Sequence, residues 1–260
     1  KWGGRELGLR SDLDFVFVVP GEPSANDQKV AKRFLARMTE PHRGGAIYAI
    51  DMRLRPSGQA GPILVSVPRL KTYLEGTDPS EKSAAWERQA YLRSRPLAKL
   101  AFHPGEIGAI RGLSSSDLDE LRMIRSKLFS ASKPGEIDLK LTDGGLADIE
   151  FTAQIAILGR GPDLAGITLD PSTSGMIQYL EGVDATWSAI GKSLRDHYDF
   201  LRRTEQLYQL TTSQSGSKMR VKSDEFRRLA LVMKSESAKL ESRLRDVFAD
   251  ANSILARVRK

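Results

Sequence analysis

The spacing of hydrophobic and polar positions changes near Pro68 and divides the chain into two predicted regions. Before Pro68 the apolar runs are short and alternate with polar residues, which is typical of β-strands. Three strands are predicted there: 12–19, Tyr48–Arg55 and Ile63–Val67. One amphipathic helix is predicted over Asn26–Met38, from apolar residues at helical spacing: Val30, Phe34, Leu35 and Met38. Proline and glycine predict turns at Pro20–Pro23 and His42–Gly45.

After Pro68 the apolar spacing is helical almost throughout. Three helices are predicted first: Pro68–Gly76, Glu81–Arg95 and Ser116–Ser130, the last capped by Ser116. A short strand, a Gly-Gly turn and a helix N-terminus follow over Asp138–Phe151. Beyond Pro171, two apolar stripes predict a helical bundle: Trp187, Ile190, Leu194, Tyr198, Leu201 and Leu207, then Leu240, Leu244, Val247, Phe248, Ala251, Ile254, Leu255 and Val258. Residues 212–218 are predicted to form a linker between them.

This order of elements predicts an α+β fold, with a small mixed β-sheet and its helices followed by an all-α helical bundle. The 260 residues are 40% hydrophobic and 28% charged, and no apolar run approaches the roughly 20 residues of a membrane span. We expect no signal peptide, because the first residues already form a motif. The chain starts at Lys1, so we expect it to be a piece of a longer protein.

The residue types present restrict the chemistry. The absence of cysteine excludes disulfides and thiol catalysis and favours a cytoplasmic location. With only three scattered histidines, any metal is expected to be a hard, oxygen-bound cation such as Mg²⁺ or Mn²⁺. The net charge is +7, but its lysines and arginines are mixed with acids along the chain, and this pattern argues against a nucleic-acid partner.

The first motif is a Gly-Gly pair followed by Ser-Asp-x-Asp at the start of an apolar strand. Asp12 and Asp14 are two residues apart, so on a strand they share one face about 7 Å apart. Two carboxylates at this spacing can hold a pair of divalent cations, as in two-metal phosphoryl-transfer sites. Gly3 and Gly4 allow close backbone approach, and their N–H groups can point at phosphate oxygens. The pattern predicts nucleotidyl transfer.

The second motif lies on the predicted Tyr48–Arg55 strand, where Asp51, Arg53 and Arg55 alternate with apolar residues. Unpaired charges on one strand face are costly in an apolar core. A carboxylate with two guanidiniums instead suits a site that holds a metal and a polyphosphate. Taken singly, Asp-x-Asp is common by chance and Arg-x-Arg is usually a solvated face; it is their joint presence that favours catalysis.

Two later segments leave both structural and functional interpretations open. The charges of Trp86–Arg95 can pair with nucleotide phosphates, or they can form exposed i,i+4 contacts. In the Asp138–Phe151 segment, Lys140 can reach a phosphate while Asp148 and Glu150 orient a metal-bound water or an arginine. Acids in a first helical turn are also favoured simply by the helix dipole, and spacing alone favours that explanation.

Together these segments resemble the glutamine synthetase adenylyltransferase family, whose two halves each carry a nucleotidyltransferase domain and a helical domain. Four family landmarks stand in order: Gly3 to Asp14, Asp51 to Gly61, Trp86 to Ala90 and Gly144 to Phe151. After Gly161 the chain resembles the family only in being helical. Trp2 and an insertion at Gly76–Lys82 depart from the family pattern, but neither touches a proposed ligand.

The resemblance implies a nucleotidyltransferase-type sheet and a set of site residues. Asp12, Asp14 and Asp51 are implied as catalytic, metal-binding carboxylates. Nucleotide and phosphate binding is implied for Gly3, Gly4, Arg5, Ser11, Arg53, Arg55 and Lys140. Asp148 and Glu150 are implied as orienting groups, and the domains are implied as a truncated catalytic domain at 1–100, a helical extension at 101–160 and a bundle at 161–260.

The implied reaction is transfer of AMP from ATP to a tyrosine of glutamine synthetase, with Mg²⁺ or Mn²⁺. A PII-type signalling protein is a possible further partner, and neither nucleic acid nor membrane is expected. Ala147 stands where the deadenylylating half more often has arginine, so the chain resembles the adenylylating half more closely. Three alternatives stay open: the deadenylylating half, a nucleotidyltransferase with another acceptor, and a non-catalytic regulatory module.

Overall fold

A computed structural model describes residues 2–8, 11–41, 48–100, 102–128, 134–212 and 216–259. The chain divides into two compact units. Unit 1 comprises residues 1–120 and 158–172, and unit 2 comprises residues 121–157 and 173–260. The predicted turn at His42–Gly45 and the centre of the predicted 212–218 linker lie outside the described residues. The predicted domain boundaries at 100 and 160 stay predictions.

The strands of unit 1 are short and pair in parallel. They are β1 (Leu13–Asp14), β2 (Phe17–Val19), β3 (Ile50–Asp51) and β4 (Leu64–Ser66). In the described residues β1 pairs with β3 and β2 pairs with β4, both parallel, so the predicted mixed pairing is not found there. The predicted strand at 12–19 is therefore two strands, each with its own partner.

The predicted strand Tyr48–Arg55 is wrong beyond Asp51, because local hydrogen bonds turn the backbone there. The Arg53 N–H donates to the Asp51 carboxylate at 2.9 Å, and the Arg55 N–H donates to the Arg53 carbonyl at 2.8 Å. A short 3₁₀ helix, Gly58–Ala60, follows. The second motif therefore lies mostly on a loop.

The helices of unit 1 are α1 (Ala25–Thr39), α2 (Val67–Glu75), α3 (Ala85–Tyr91), α4 (Pro104–Ile110) and the start of α5 (Ser115–Leu128). Ser24 caps α1 with a capping box, and Gly76 ends α2 in the left-handed conformation. The helix predicted over Glu81–Arg95 is shorter in the structure, where it spans only Ala85–Tyr91 (α3). The hydroxyl that accepts a hydrogen bond from the first turn of α5 belongs to Ser114, not to the predicted cap Ser116. The Asp117 N–H donates to the Ser114 hydroxyl at 3.2 Å.

The core of unit 1 lies between β4, α2 and α3, where Val65, Leu70, Tyr73, Leu74 and Tyr91 are buried. The predicted apolar stripe of α1 is only partly confirmed. Val30 is 59% exposed and Phe34 is 45% exposed, although the Phe34 ring lies edge-on to Phe15 and Phe17.

Unit 2 contains most of α6 (Leu146–Arg160) and then α7 (Thr173–Val183), α8 (Ala185–Thr212), α9 (Asp224–Val232) and α10 (Ser237–Leu255). The prediction that 161–260 is all-α is wrong, because β6 (Lys218–Arg220) lies there and pairs antiparallel with β5 (Glu136–Asp138), which overlaps the short strand predicted at Asp138. The α8 and α10 stripes are largely confirmed as core. Their buried members are Trp187, Ile190, Leu194, Tyr198, Leu201, Leu240, Leu244, Phe248, Ala251, Ile254 and Leu255. Among the described helices, none combines the length and apolarity that a bilayer span requires.

Candidate active site

Two of the predicted catalytic carboxylates lie on paired strands. Asp14 ends β1 and stands in register with Asp51 on β3. The backbone is fixed on both sides of Asp14, because the Leu13 N–H donates to the Ala49 carbonyl at 2.8 Å and the Phe15 N–H donates to the Asp51 carbonyl at 3.2 Å. Asp12 and Asp14 are exposed while Leu13 between them is half-buried, as a shared strand face requires.

The electrostatics link all three acids. Loss of water around the Asp14 carboxyl to neighbouring protein atoms raises its pKa, and the negative charges of Asp51 and Asp12 raise this pKa further. The arrangement therefore concentrates negative charge at one end of the β1–β3 pair, where a cation would relieve the repulsion.

Arg53 is the counter-ion of Asp51 in this structure. Its Nε lies 3.0 and 2.8 Å from the two Asp51 carboxylate oxygens, and its terminal nitrogen also donates to one of them. These hydrogen bonds lower the pKa of Asp51. The Arg53 side chain is 66% exposed, so it can leave Asp51 for another anion without unfolding the loop.

Arg55 does not share this face. It is buried, and its guanidinium donates to the carbonyls of Pro62 at 2.9 Å, Gly61 at 3.3 Å and Met52. The predicted strand face shared by Asp51, Arg53 and Arg55 is wrong because the strand ends at Asp51, although the charge of Arg55 still helps to lower the pKa of Asp51. Its observed contacts close the 52–62 loop, and a phosphate-binding role for Arg55 stays a prediction.

The Gly-Gly pair packs against the protein backbone. A Cβ on Gly3 would lie 2.0 Å from the Arg93 carbonyl oxygen, and one on Gly4 would lie 2.8 Å from the Pro171 carbonyl oxygen. The exposed Arg5 has a φ of 57°, and the Ser11 hydroxyl accepts a hydrogen bond from the Gly8 N–H at 3.1 Å. Phosphate binding by Gly3, Gly4, Arg5 and Ser11 stays a prediction.

Glu6 is a functional candidate that sequence reasoning missed, and its partner Arg93 was considered only as one of the charges of the Trp86–Arg95 segment. The Arg93 guanidinium lies 2.5 Å from the Glu6 carboxylate, with both side chains nearly buried, and its charge opposes the rise in the Asp14 pKa. Arg95 lies over the Trp2 ring at 5.5 Å. These contacts fix the Gly-Gly loop to the 93–95 segment. The only sequence signal was opposite charge in two motifs 87 residues apart, which predicts no contact by itself.

Glu87 and Arg88 of the Trp86–Arg95 segment are buried against protein partners. For these two residues, both interpretations left open by the sequence, phosphate pairing and exposed i,i+4 contacts, are therefore wrong. Glu87 accepts a hydrogen bond from the Tyr73 hydroxyl at 2.6 Å and is buried. Arg88 is fully buried, 2.9 Å from the Asp117 carboxylate, and donates to the Gly112 carbonyl. They are neither exposed nor open to a phosphate.

The third motif lies in unit 2. Asp148 is fully buried and accepts hydrogen bonds from the Gly144 N–H at 2.7 Å, from Arg125 at 2.9 and 2.7 Å and from Arg259. Glu150 is buried and accepts from the Tyr198 hydroxyl at 2.9 Å. Lys140 is exposed. The roles predicted for Lys140, Asp148 and Glu150 in nucleotide or metal binding stay predictions.

The chemistry of the unit 1 acids suits Mg²⁺ or Mn²⁺, which prefer hard carboxylate oxygens. Across the described residues, no three metal-ligating side chains form a ready cage, and Arg53 occupies the oxygens of Asp51. Asp12, Asp14 and Asp51 offer the oxygen donors that such an ion prefers, and their binding of a metal stays a prediction.

Comparison with known proteins gives two family matches. Residues 1–102 match the family model described as glutamate-ammonia ligase adenylyltransferase, and residues 119–260 match the model described as GlnD PII-uridylyltransferase. Three curated relatives are each named bifunctional glutamine synthetase adenylyltransferase/adenylyl-removing enzyme.

These relatives come from three bacteria. The protein of Aromatoleum aromaticum strain EbN1 is 30% identical over 235 residues, 80% of this chain and 24% of the relative. The protein of Psychromonas ingrahamii is 34% identical over 182 residues, 62% of this chain and 19% of the relative. The protein of Shewanella oneidensis MR-1 is 30% identical over 245 residues, 84% of this chain and 25% of the relative. The chain thus spans about a quarter or less of these relatives' length.

These matches define the class of the relatives, which is that of the adenylyltransferases. More narrowly, the chain belongs to the glutamine synthetase adenylyltransferase family, and its residues 119–260 carry the region described as GlnD PII-uridylyltransferase. The resemblance deduced from the sequence motifs is confirmed.

Proposed function

We propose that this chain transfers AMP from ATP to a tyrosine hydroxyl of glutamine synthetase, with unit 1 carrying the catalytic carboxylates. The observation that supports the proposal most is the register of Asp14 opposite Asp51, with Asp12 on the face of Asp14. The negative charges of Asp51 and Asp12 raise the pKa of Asp14, and a divalent cation bound there would offset this repulsion.

In the proposed reaction the tyrosine oxygen attacks the α-phosphorus of ATP, a new P–O bond forms, and the bond to the leaving pyrophosphate breaks. Asp12, Asp14 and Asp51 would hold Mg²⁺, and the ion would neutralise charge on the triphosphate and lower the pKa of the attacking hydroxyl. Free tyrosine has a pKa near 10, so its proton must be taken up, and Asp51 is the proposed acceptor. Gly3, Gly4, Arg5 and Ser11 bind the phosphates, and Arg53 supports the leaving pyrophosphate.

The residues of unit 2 have a supporting role in this proposal. Asp148 and Glu150 hold arginine and tyrosine side chains in place, and Lys140 is a phosphate ligand. A PII-type protein is proposed as regulator and the cytoplasm as location. The presence of Ala147 supports the adenylylating half. The alternative half removes AMP from adenylyl-tyrosine with phosphate and releases ADP.

The description that matches residues 119–260 supports a second candidate, transfer of UMP from UTP to a PII protein. A nucleotidyltransferase with a different acceptor and a non-catalytic nucleotide-binding module are further alternatives. The three carboxylates count against the non-catalytic module, and metal-dependent turnover would distinguish it from an enzyme.

The test is transfer of α-labelled AMP from ATP, with Mg²⁺, to unmodified glutamine synthetase from the same source. Label is expected on tyrosine, and Asp14→Asn is expected to abolish it while keeping the fold. Release of ADP from adenylylated glutamine synthetase plus phosphate would instead assign the opposing half, and label from UTP on a PII protein would favour uridylyl transfer. Near wild-type transfer by Asp14→Asn would refute the proposed site.

A further inference from the structure

The 52–62 loop carries two consecutive residues in the left-handed conformation. Ser57 has a φ of 61° and Gly58 has a φ of 52°. Glycine adopts this conformation without steric cost, whereas an L-residue such as serine pays roughly 1 kcal/mol. Something outside the loop must therefore favour this shape at Ser57.

Glu81 supplies that stabilisation. Its two carboxylate oxygens accept hydrogen bonds from the Ser57 N–H and from the Ser57 hydroxyl, both at 2.9 Å. One of the same oxygens also lies 3.1 Å from the Arg69 guanidinium on α2. Glu81 therefore ties the loop to a helix of the unit 1 core.

The segment that presents Glu81 is itself fixed. Gly76 ends α2, and the Thr77 N–H donates back to the Thr72 carbonyl at 2.9 Å. The Asp78 carboxylate accepts from the Ser80 N–H at 2.8 Å and from the Glu81 N–H at 3.2 Å. The insertion that sequence analysis identified as a departure from the family pattern is thus a closed turn with Glu81 at its end.

The loop held by Glu81 also carries Arg53, which contacts the proposed catalytic carboxylate Asp51. Arg53 lies four residues before Ser57, and its backbone and side chain both bond to Asp51. Buried Arg55 and the close approach of Gly61, whose Cβ would lie 2.2 Å from the Pro56 carbonyl oxygen, leave the loop few alternative shapes. A change at Ser57 is therefore transmitted to Arg53.

We propose that Glu81 is a positioning residue of the nucleotidyl-transfer site. By holding Ser57 in its left-handed conformation, Glu81 fixes the loop that carries Arg53, whose backbone N–H donates to the Asp51 carboxylate opposite Asp14. This inference rests on the proposed function for its catalytic consequence, but its structural part stands on the contacts of Glu81 alone.

The first test is backbone amide exchange over residues 53–61 in the full chain, which needs no activity. Glu81→Ala is expected to raise exchange there at least tenfold, and Glu81→Gln, which keeps one acceptor oxygen, is expected to have a smaller effect. Glu75→Ala is the matched control, because Glu75 forms an exposed pair with Lys71 on α2 and does not bond to the loop. Unchanged exchange in Glu81→Ala would overturn the proposal.

The second test measures Mn²⁺ affinity, the KM for ATP and kcat in the same variants. Misplacement by about 1 Å costs up to roughly 10²-fold in activity, so Glu81→Ala is expected to lower kcat/KM and weaken Mn²⁺ binding by about tenfold or more. Ser57→Gly in the Glu81→Ala background should restore part of this loss, because glycine adopts the left-handed conformation unaided. A purely structural role predicts lower stability with unchanged KM and no rescue, and that result would refute the proposal. If the wild type transfers no AMP, the proposed function fails, while amide exchange and Mn²⁺ affinity still decide the role of Glu81.

Discussion

Two segments of this chain have nearly the same sequence pattern and very different environments. Each has a Gly-Gly pair followed by two acids spaced two apart: Asp12 and Asp14 in unit 1, Asp148 and Glu150 in unit 2. The first two acids are exposed, whereas Asp148 is fully buried between two arginines and Glu150 is buried against a tyrosine. Spacing identifies both pairs as candidates, and their exposure to solvent distinguishes them.

The glycines, in contrast, have the same structural role in both segments, because they allow close approach of another stretch of backbone. A Cβ on Gly3 would lie 2.0 Å from the Arg93 carbonyl oxygen, and one on Gly144 would lie 2.2 Å from the Phe248 carbonyl oxygen. Gly144 also has a φ of +77°, which disfavours any other residue. Both pairs allow close backbone packing, so the difference between the segments lies in their acids.

The largest effect is expected at Asp148. Removing one partner of a buried ion pair leaves uncompensated charge, so Asp148→Ala should lower the free energy of unfolding by about 3–5 kcal/mol. Denaturant unfolding measures this. Asp143→Ala is the control, because Asp143 also pairs with Arg125, at 3.5 Å, but is 64% exposed and should cost less than about 1 kcal/mol. Equal costs for the two variants would remove the distinction between scaffold and surface acids.

A smaller effect is expected at Glu6, which joins the Gly-Gly loop of unit 1 to Arg93. The Glu6 and Arg93 side chains are only 11% and 12% exposed, so Glu6→Gln should cost about 1–3 kcal/mol. It should also reduce AMP transfer, because Arg93 acts on Asp14. The control Glu40→Gln loses only an exposed pair with Arg37 at 4.0 Å. If Glu6→Gln were as mild as Glu40→Gln, the contact would not fix the loop.

The smallest effect on stability, and one of opposite sign, is expected at Asp14. Its pKa in the folded protein is raised above the ordinary value of 3.8, so ionised Asp14 opposes folding. This penalty is absent below pH 3.8, develops as pH rises through that value, and is complete above the folded-state pKa. Asp14→Asn should therefore be at least as stable as wild type at pH 7, with the difference shrinking toward pH 3.8. Urea unfolding along a pH series tests this, and a clear loss of stability at pH 7 would make Asp14 a scaffold residue.

Local sequence signals predicted much of the fold. The Gly76 end of α2 and the apolar stripes of α8 and α10 are encoded within a few residues of where they act. The motifs likewise located Asp12, Asp14 and Asp51, because strand alternation is a local property.

Contacts between distant residues were not predictable. Asp148 meets Arg259 across 111 residues, and one arginine among many carries no pairing signal. Arg55 was misplaced because the side-chain and backbone bonds that turn the chain after Asp51 compete with strand pairing, and alternation alone cannot show which prevails. For the same reason, the hydrogen bonds between Ser57 and Glu81 could not be predicted from the sequence.

The most direct measurement of the difference between the two acid pairs is Mn²⁺ binding to wild type, Asp14→Asn and Asp148→Asn, followed by electron paramagnetic resonance. It is made at a temperature where each protein is folded by circular dichroism. We predict at least tenfold weaker binding by Asp14→Asn with an unchanged fold, and wild-type binding by the folded fraction of Asp148→Asn. Wild-type Mn²⁺ affinity in Asp14→Asn would contradict the assignment of the catalytic carboxylates to unit 1.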